Sequence, residues 1–410
     1  MIWLTDLVYT YVALPLFWIG ARASSIFNAK LRRRFAEDKP TKVSGSGLRI
    51  LFHASSMGEF EQLLPVIRLT KSRLPHLRVV ASFFSPSGYA HGLRTSEVDV
   101  CTYLPFDSKR GVRAYLKAIQ PKVIVIDRYD VWRNFIVEAT AQQIPVFLIN
   151  ATFPSGARGV LRPWFADTYR RIHFISAITL PDAQRLSQLT RRPVSVLNDT
   201  RIDRVLERRA AAESAVESTS ESAVESLRRN DVLTIVLGST WPPDEDIAIG
   251  ALDRPGVRLI IAPHEPTHQA LAAIEARVSC TRLSRVTPST SGHILVDTVG
   301  HLLSLYAIAD AAYIGGGFGV GVHSVTEPAV FGMPIATGRH IERSADASRL
   351  HTLGLLTIAR SANDVSAWYD NVVADKSSRL SAALSTRDAL VANAGASLIH
   401  AERITELMLR

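Results

Sequence analysis

"YIGGGFGVGVHSVTEPAVFGMPIATG", residues Tyr313 to Gly338, packs seven glycines into one apolar stretch and places a His, a Ser and a Glu among them. A glycine cluster between a strand and a helix lets backbone N–H groups approach an anionic ligand. The spacing excludes a dinucleotide fingerprint, because Val320 or Val322 stands where a third glycine would complete G-x-G-x-x-G. That fingerprint also opens the first βαβ unit of its domain, whereas this stretch lies late in the chain. The reading is a strand end in a second α/β domain, followed by a loop with free N–H groups from Gly316 to Gly319. Ser324 and Glu327 have the spacing of a capping box. A nucleotide phosphate fits such a loop, and Glu327 can accept hydrogen bonds from ribose hydroxyls.

Upstream, short β-branched runs alternate with helical patterns. "LRILFHAS", "LRVVASFF", "KVIVID", "PVFLIN", "IHFISAI" and "PVSVLN" read as buried strands of a parallel sheet, since polar residues do not alternate within them. Glu207 to Asn230 is Ala/Glu/Ser-rich and carries ESAVES twice, at Glu213–Ser218 and Glu221–Ser226, so it reads as a helical or flexible connector. A second series follows in "DVLTIVLGS", "VRLIIAP", "HILVD", "AAYIGG" and "MPIAT", and Ser378 to Arg410 reads as helical. The expected organisation is α/β, with two Rossmann-like doubly wound domains at residues 45–206 and 231–377. The connector covers 207–230, C-terminal helices cover 378–410, and a cleft lies between the domains. In such folds the ligand crevice lies at the carboxyl ends of the strands.

The 410-residue chain has two cysteines, Cys101 and Cys280, with no metal-ligand spacing around them. Its net charge of +9 points to an anionic partner, but the charge is dispersed and no nucleic-acid motif accompanies it. Residues 1–34 differ from the rest. An uncharged run from Leu7 to Ala21 precedes Arg22, Lys30 and Arg32–Arg34, giving five Lys/Arg against one Asp, Asp6. The missing basic n-region speaks against a cleaved signal peptide, and the run is short for a span of about 20 apolar residues. A membrane-associated helix with a basic flank is expected, either a short signal-anchor or a helix lying in the interface, the flank keeping the downstream chain on the cytoplasmic side. The competing reading is a first helix packed on the adjoining domain.

Other strand ends carry the candidate chemistry. In "FHASSMGEFEQ" a buried strand runs into Ser55-Ser56, and Glu59 falls in the first turn of the next helix. Ser56 and Glu59 again have capping-box spacing, yet a carboxylate at that mouth can also serve as a general base. In "DRYDVWRN" Asp127 ends a strand and Asp130 reads as a helix cap. "GSTWPPDED" ends another strand with Gly238-Ser239-Thr240. Its Asp244-Glu245-Asp246 has the look of a D-x-D metal motif, but the preceding prolines favour an ordinary helix start. "APHEPTH" offers Pro263-His264, with His264 and His268 lacking a third ligand, so no metal is expected.

Together these stretches resemble the 3-deoxy-D-manno-octulosonic acid (Kdo) transferases of lipid A biosynthesis. The resemblance is carried by "HASSMGEFEQ", "YLPFD", "DRYDVWRN", "DTRIDRV", "GSTWPPDED", "IIAPHEPTH", "VDTVGHLLSLYAIADAAYIGGGFG" and "HSVTEPAVFGMPIATG". It implies a GT-B fold and an inverting, metal- and cofactor-independent transfer of Kdo from CMP-Kdo to the lipid A precursor, lipid IVA, at the cytoplasmic face of the inner membrane. By the resemblance Glu59 is the general base, and Ser55, Ser56, Gly58 and Asp127 bind the acceptor. Gly238, Ser239, Thr240, Pro263, His264, Gly315, Gly316, Gly317, Phe318, Gly319, His323, Ser324 and Glu327 bind CMP-Kdo. A GT-B transferase using another nucleotide sugar and lipid acceptor shares the fold but leaves Ser-Ser-Met-Gly-Glu unexplained. A non-catalytic, membrane-attached nucleotide-binding protein would have no use for Glu59.

Overall fold

The computed structural model describes residues 2–38, 43, 47–154, 156–218, 224–227, 232–319 and 321–410. The chain forms two compact units, Met1–Arg204 with Ala394–Arg410, and Val205–Asn393.

The first unit is built on β1 (Arg49–Ala54), β2 (Arg78–Phe83), β3 (Val100–Tyr103), β4 (Val123–Asp127), β5 (Val146–Ala151), β6 (Phe174–Ala177) and β7 (Ser195–Val196). They pair in the order β3-β2-β1-β4-β5-β6-β7, all parallel. Apolar runs on these strands serve two cores, one on each face. Leu51, Ile124, Ile126 and Leu148 join one with Leu116, Phe135 and Leu186 from the flanking helices. Ile50, Phe52, Val125 and Ile149 join the other with Phe60, Leu63 and Ile67 of the helix Met57–Arg73. The last helix, Ala396–Leu409, returns to this second face through Ile404 and Met408. Asp203 fixes its start by accepting the N–H groups of Gly395 (2.6 Å) and Ser397 (2.7 Å).

The second unit contains β8 (Leu233–Thr240), β9 (Val257–Pro263), β10 (Cys280–Arg282), β11 (His293–Leu295), β12 (Ala311–Ile314), β13 (Ile335–Thr337) and β14 (Leu356–Ile358). Their order is β10-β11-β9-β8-β12-β13-β14, again parallel. Strands β3, β10 and β14 are additions to the sequence reading. In each sheet the winding direction reverses once, between β1 and β4 and between β8 and β12. That reversal is where doubly wound sheets bind ligands. The helix Thr200–Ser218 runs through the first ESAVES copy. Residues 219–223, inside the connector and reaching into the second copy, lie outside the described residues, as do the expected boundaries at 45, 230 and 231.

Ile2–Ser24 is helical throughout, with a π turn at Tyr9–Ala13, and is long and apolar enough to cross a membrane. None of its residues is buried. Trp3, Leu4, Tyr11, Val12, Leu16 and Ile19 are exposed. Its few polar residues dock it on the first unit instead. Asp6 accepts from Arg133 Nε and Nη2 (both 2.9 Å) and from Trp164 Nε1 (2.7 Å), and the Tyr9 hydroxyl donates to Asp107 Oδ2 (2.7 Å). The helix is thus both packed on its domain and apolar outward. Arg34, expected in the basic flank, is instead buried, its guanidinium 4.0 Å from the Tyr103 ring centroid and donating to the Leu104 carbonyl (2.7 Å). Four basic residues of the flank, not five, remain at the surface.

Arg133 is nearly buried, so losing Asp6 leaves a cation only partly compensated by Asp167. Asp6→Ala should lower stability by about 2 kcal/mol and change Trp164 emission. An unaltered melting temperature and spectrum would show that this pair does not hold the helix.

Candidate functional site

At the β1/β4 reversal, β1 ends in Ala54 and the chain turns through Ser55-Ser56 into the helix Met57–Arg73. Glu59 is only 6% exposed and completes a capping box: Ser56 Oγ accepts its N–H, and its Oε2 accepts the Ser56 N–H (3.2 Å). Oε2 also takes the Ser55 N–H (2.6 Å) and hydroxyl (2.5 Å). Oε1 takes none of these bonds. The cap therefore fixes the carboxylate through Oε2. Gly58 lies exposed beside it, and a side chain there would enter open space.

Asp127, placed with the acceptor by the sequence reading, is wholly buried. Its Oδ1 accepts from Asn150 Nδ2 (2.7 Å), which also donates to Thr200 Oγ1 (2.7 Å), and burial pushes the carboxyl up to about 8, against the pull of Arg128. Asp127 is thus enclosed by the protein rather than open to a ligand, unlike the acceptor contact the sequence suggested. Asp130 is not the helix cap: it sits 2.7 Å from Nε2 of the buried His53, whose Nδ1 meets Ser82 Oγ at 2.9 Å. Asp107 of "YLPFD" does the capping instead, accepting the N–H groups of Asn134 (2.8 Å) and Phe135 (2.7 Å), and burial raises its carboxyl to about 7. His53 and Asp107 were missed. A histidine inside an apolar strand and an acid after Leu-Pro-Phe were the available signals.

In the second unit, the β8/β12 reversal gathers Gly238-Ser239-Thr240 and the glycine loop. Ser239 takes a left-handed backbone (φ 54°), and the His264 N–H donates to the Thr240 carbonyl (2.9 Å), placing Pro263-His264 alongside. The glycines here are needed for backbone contact. A Cβ on Gly315 would lie 2.3 Å from the Ser239 carbonyl oxygen, and one on Gly317 would lie 2.5 Å from the Gly338 nitrogen. The rings of His264 and His323 stack at 4.2 Å, Trp241 lies 5.0 Å from His264, and Trp241 Nε1 donates to His323 Nε2 (3.0 Å). Burial, with His264 beside it, holds His323 below the usual imidazole range.

Three expectations are corrected here. The loop N–H groups are not all free: Gly316 donates to Asp244 Oδ2 (2.9 Å) and Gly319 to the Gly316 carbonyl (3.0 Å). Of the N–H groups from Gly316 to Gly319, those of Gly317 and Phe318 have no acceptor among the described residues. Ser324 is not a cap, since the helix Thr326–Phe331 begins after Val325 and Ser324 Oγ meets Thr326 Oγ1 (3.0 Å). Glu327 pairs with Arg208 at 3.2 Å rather than closing a box. The acids Asp244, Glu245 and Asp246 are divided among Gly316 and Trp241, Thr240, and Arg277. Among the described residues no three His, Cys, Asp or Glu side chains gather as a metal site.

Residues 29–204 match the family described as 3-deoxy-D-manno-octulosonic-acid transferase (kdotransferase). Relatives named 3-deoxy-D-manno-octulosonic acid transferase are 26% identical in Chlamydophila psittaci (80% of this chain, 78% of the relative) and 24% identical in Bordetella pertussis (93% and 94%). Among solved structures, the UDP-GlcNAc 2-epimerase of Neisseria meningitidis superimposes with a TM-score of 0.61 at 14% identity, over 88% of this chain and all of that one. Acinetobacter baumannii MurG gives 0.53 at 14% identity, with the same coverage. The structural likenesses show the GT-B fold, and the Kdo-transferase family is matched repeatedly. The structures share only the fold with this chain, and it is the family and sequence matches that support a glycosyltransferase.

The buried Asp127 carboxyl makes a prediction of definite sign. Its folded-state pKa of about 8 exceeds the ordinary value near 3.9, so the native state binds the proton more tightly. That contribution is fully present below about pH 4 and is lost as pH rises towards about 8. Asp127→Asn removes it and can still accept from Asn150. The melting temperature of the variant minus that of the parent should therefore climb between about pH 5 and pH 8. A difference flat with pH would mean that Asp127 titrates normally.

Proposed function

We propose that the chain is an inverting, metal-independent transferase that moves Kdo from CMP-Kdo to the lipid A precursor, lipid IVA. The observation that carries this reading is Glu59, pinned at the β1/β4 reversal through Oε2. The acceptor's primary hydroxyl oxygen attacks the anomeric carbon of Kdo, and Glu59 takes the hydroxyl proton. The bond from that carbon to the phosphate oxygen breaks, and CMP leaves with the electron pair. Backbone donors aimed at developing charge can supply the stabilisation that other enzymes draw from a metal. The Gly317 and Phe318 N–H groups are proposed for that task, with Gly315, Gly316 and Gly319 shaping the loop. Gly238, Ser239, Thr240, Pro263, His264, His323 and Ser324 would frame the nucleotide. Glu327 would have to share its carboxylate between the ribose and Arg208. On the acceptor side, Ser55 and Ser56 hold the base, exposed Gly58 leaves room, and Asp127 supports from beneath.

The acceptor's lipid character accords with the outward face of Ile2–Ser24. Exposed Val160 and Leu161 lie between the exposed Arg158 and Arg162, on the segment that leads into Trp164, the partner of Asp6. We propose that the helix lies in the membrane interface, because Asp6 and Tyr9 are committed to the first unit and a span would withdraw them from Arg133 and Asp107. Basic residues Arg22, Lys30, Arg32 and Arg33 follow the apolar run and favour the cytoplasmic face of the inner membrane in a Gram-negative bacterium.

CMP release from CMP-Kdo with lipid IVA, run in excess EDTA, is the deciding assay. The parent should turn over, and Glu59→Gln should lose roughly 10²–10⁴-fold in rate with CMP affinity kept. Turnover with another nucleotide sugar but not CMP-Kdo would replace the donor, and a fully active Glu59→Gln would remove the base. Activity lost in EDTA and restored by Mg²⁺ would return a metal to the mechanism. The interfacial helix predicts release from membranes by alkaline carbonate; retention in the pellet would make it a span.

A further inference from the structure

The turn that follows β4 is held at both ends and presents one side chain outward. Arg128 has a left-handed backbone (φ 61°), and its guanidinium donates to Gln62 Oε1 (2.9 Å) and Asp199 Oδ2 (2.7 Å). Gln62 lies three residues beyond Glu59, on the same face of the helix. Asp130, on the other side of the turn, is fixed to the buried His53, which lies just before Ser55-Ser56 on β1. The turn thus straddles the start of the Glu59 helix. It is tight, with the Val131 N–H donating to the Tyr129 carbonyl (2.7 Å). Between the two tethers stands Tyr129, 56% exposed, its phenol beside the Glu59 carboxylate. Val131 and Trp132, its near neighbours in sequence, pack against the core. An exposed aromatic ring on an immobilised backbone, next to a carboxylate, loses little entropy when a ligand packs on it and offers an apolar face with a polar tip.

We infer that Tyr129 is the wall on which the acceptor's sugar ring packs, setting its primary hydroxyl beside Glu59. This rests on the reading of Glu59 as the base, and it makes Tyr129 a specificity-determining residue for a hexosamine acceptor. The apolar C–H face of a pyranose suits the ring, and the phenol can hydrogen-bond a sugar hydroxyl or Glu59. A merely structural Tyr129 would affect folding and both substrates alike. An acceptor wall affects one.

The test is an NMR titration of the full-length protein in detergent with a deacylated, phosphorylated hexosamine disaccharide, with CMP as control. Tyr129→Ala should weaken disaccharide binding roughly five- to tenfold. Tyr129→Phe should stay close to the parent, and CMP affinity and melting temperature should not move. In the transfer assay, Tyr129→Ala should raise the acceptor KM with the donor KM unchanged. Equal disaccharide affinity in parent and Tyr129→Ala overturns the inference, as does a parent that does not bind the disaccharide. Loss of CMP affinity or of thermal stability in Tyr129→Ala assigns the residue a structural role and overturns it too. If CMP-Kdo proves not to be the donor while the disaccharide series behaves as expected, the transfer reading fails and the wall stands.

Discussion

Everything in the two candidate sites follows from a constraint on parallel sheets: their polar strand ends must be satisfied where the winding direction reverses. At β1/β4 and β8/β12 the connections depart to opposite sides, so local groups must meet the backbone there. The first unit places carboxylates there: Glu59 accepts the Ser55 and Ser56 N–H groups, while Asp127 meets the Asn150 side chain and Asp130 that of His53. The second answers largely with backbone, Gly315 N–H to the Gly238 carbonyl and Gly316 N–H to Asp244. The N–H groups of Gly315 and Gly316 are thereby spent within the fold, leaving those of Gly317 and Phe318.

The strands were legible wherever burial on both faces produced an unbroken apolar run, as in Val123-Ile-Val-Ile or Leu259-Ile-Ile. Those that escaped, β3, β10 and β14, are three or four residues long and carry Cys, Thr or Arg, so no run forms. Caps were legible only where the partner is local. Ser56 with Glu59 is a true box because both groups stay within one turn. Ser324 with Glu327 has the same spacing, yet Arg208, far away in sequence, captures Glu327 and the helix starts later. Asp130 was lost to His53 for the same reason. Spacing states what a side chain can reach locally, and a stronger distant partner overrides it.

The N-terminal helix shows how few polar residues can change the meaning of an apolar segment. Composition alone fits a span, but Asp6 and Tyr9 each meet a buried or nearly buried partner, Arg133 and Asp107. If the helix left, Arg133 would keep only Asp167 and Thr168 and Asp107 only its backbone donors, and losing part of a buried group's partners costs more than the contact itself is worth. Tyr9 falls within the π turn, whose extra residue shifts the facing of the helix.

The glycine loop inverts the usual expectation for such a sequence. Its glycines do not leave a flexible strap of open donors; they let the loop close on Ser239 and Gly338 at distances that a Cβ forbids. Most of its hydrogen bonds are internal, and the His340 N–H and ring tie it further, to the Gly317 and Gly319 carbonyls. A loop already built in this way does not have to be ordered when an anion arrives, so the ordering cost is met by folding rather than by binding. Under the proposed function what it would offer is small, the two adjacent N–H groups of Gly317 and Phe318, on a backbone already held in place. Fixed donors need no reorganisation as charge builds on a leaving oxygen, and in that setting two of them can do more than a longer, looser array.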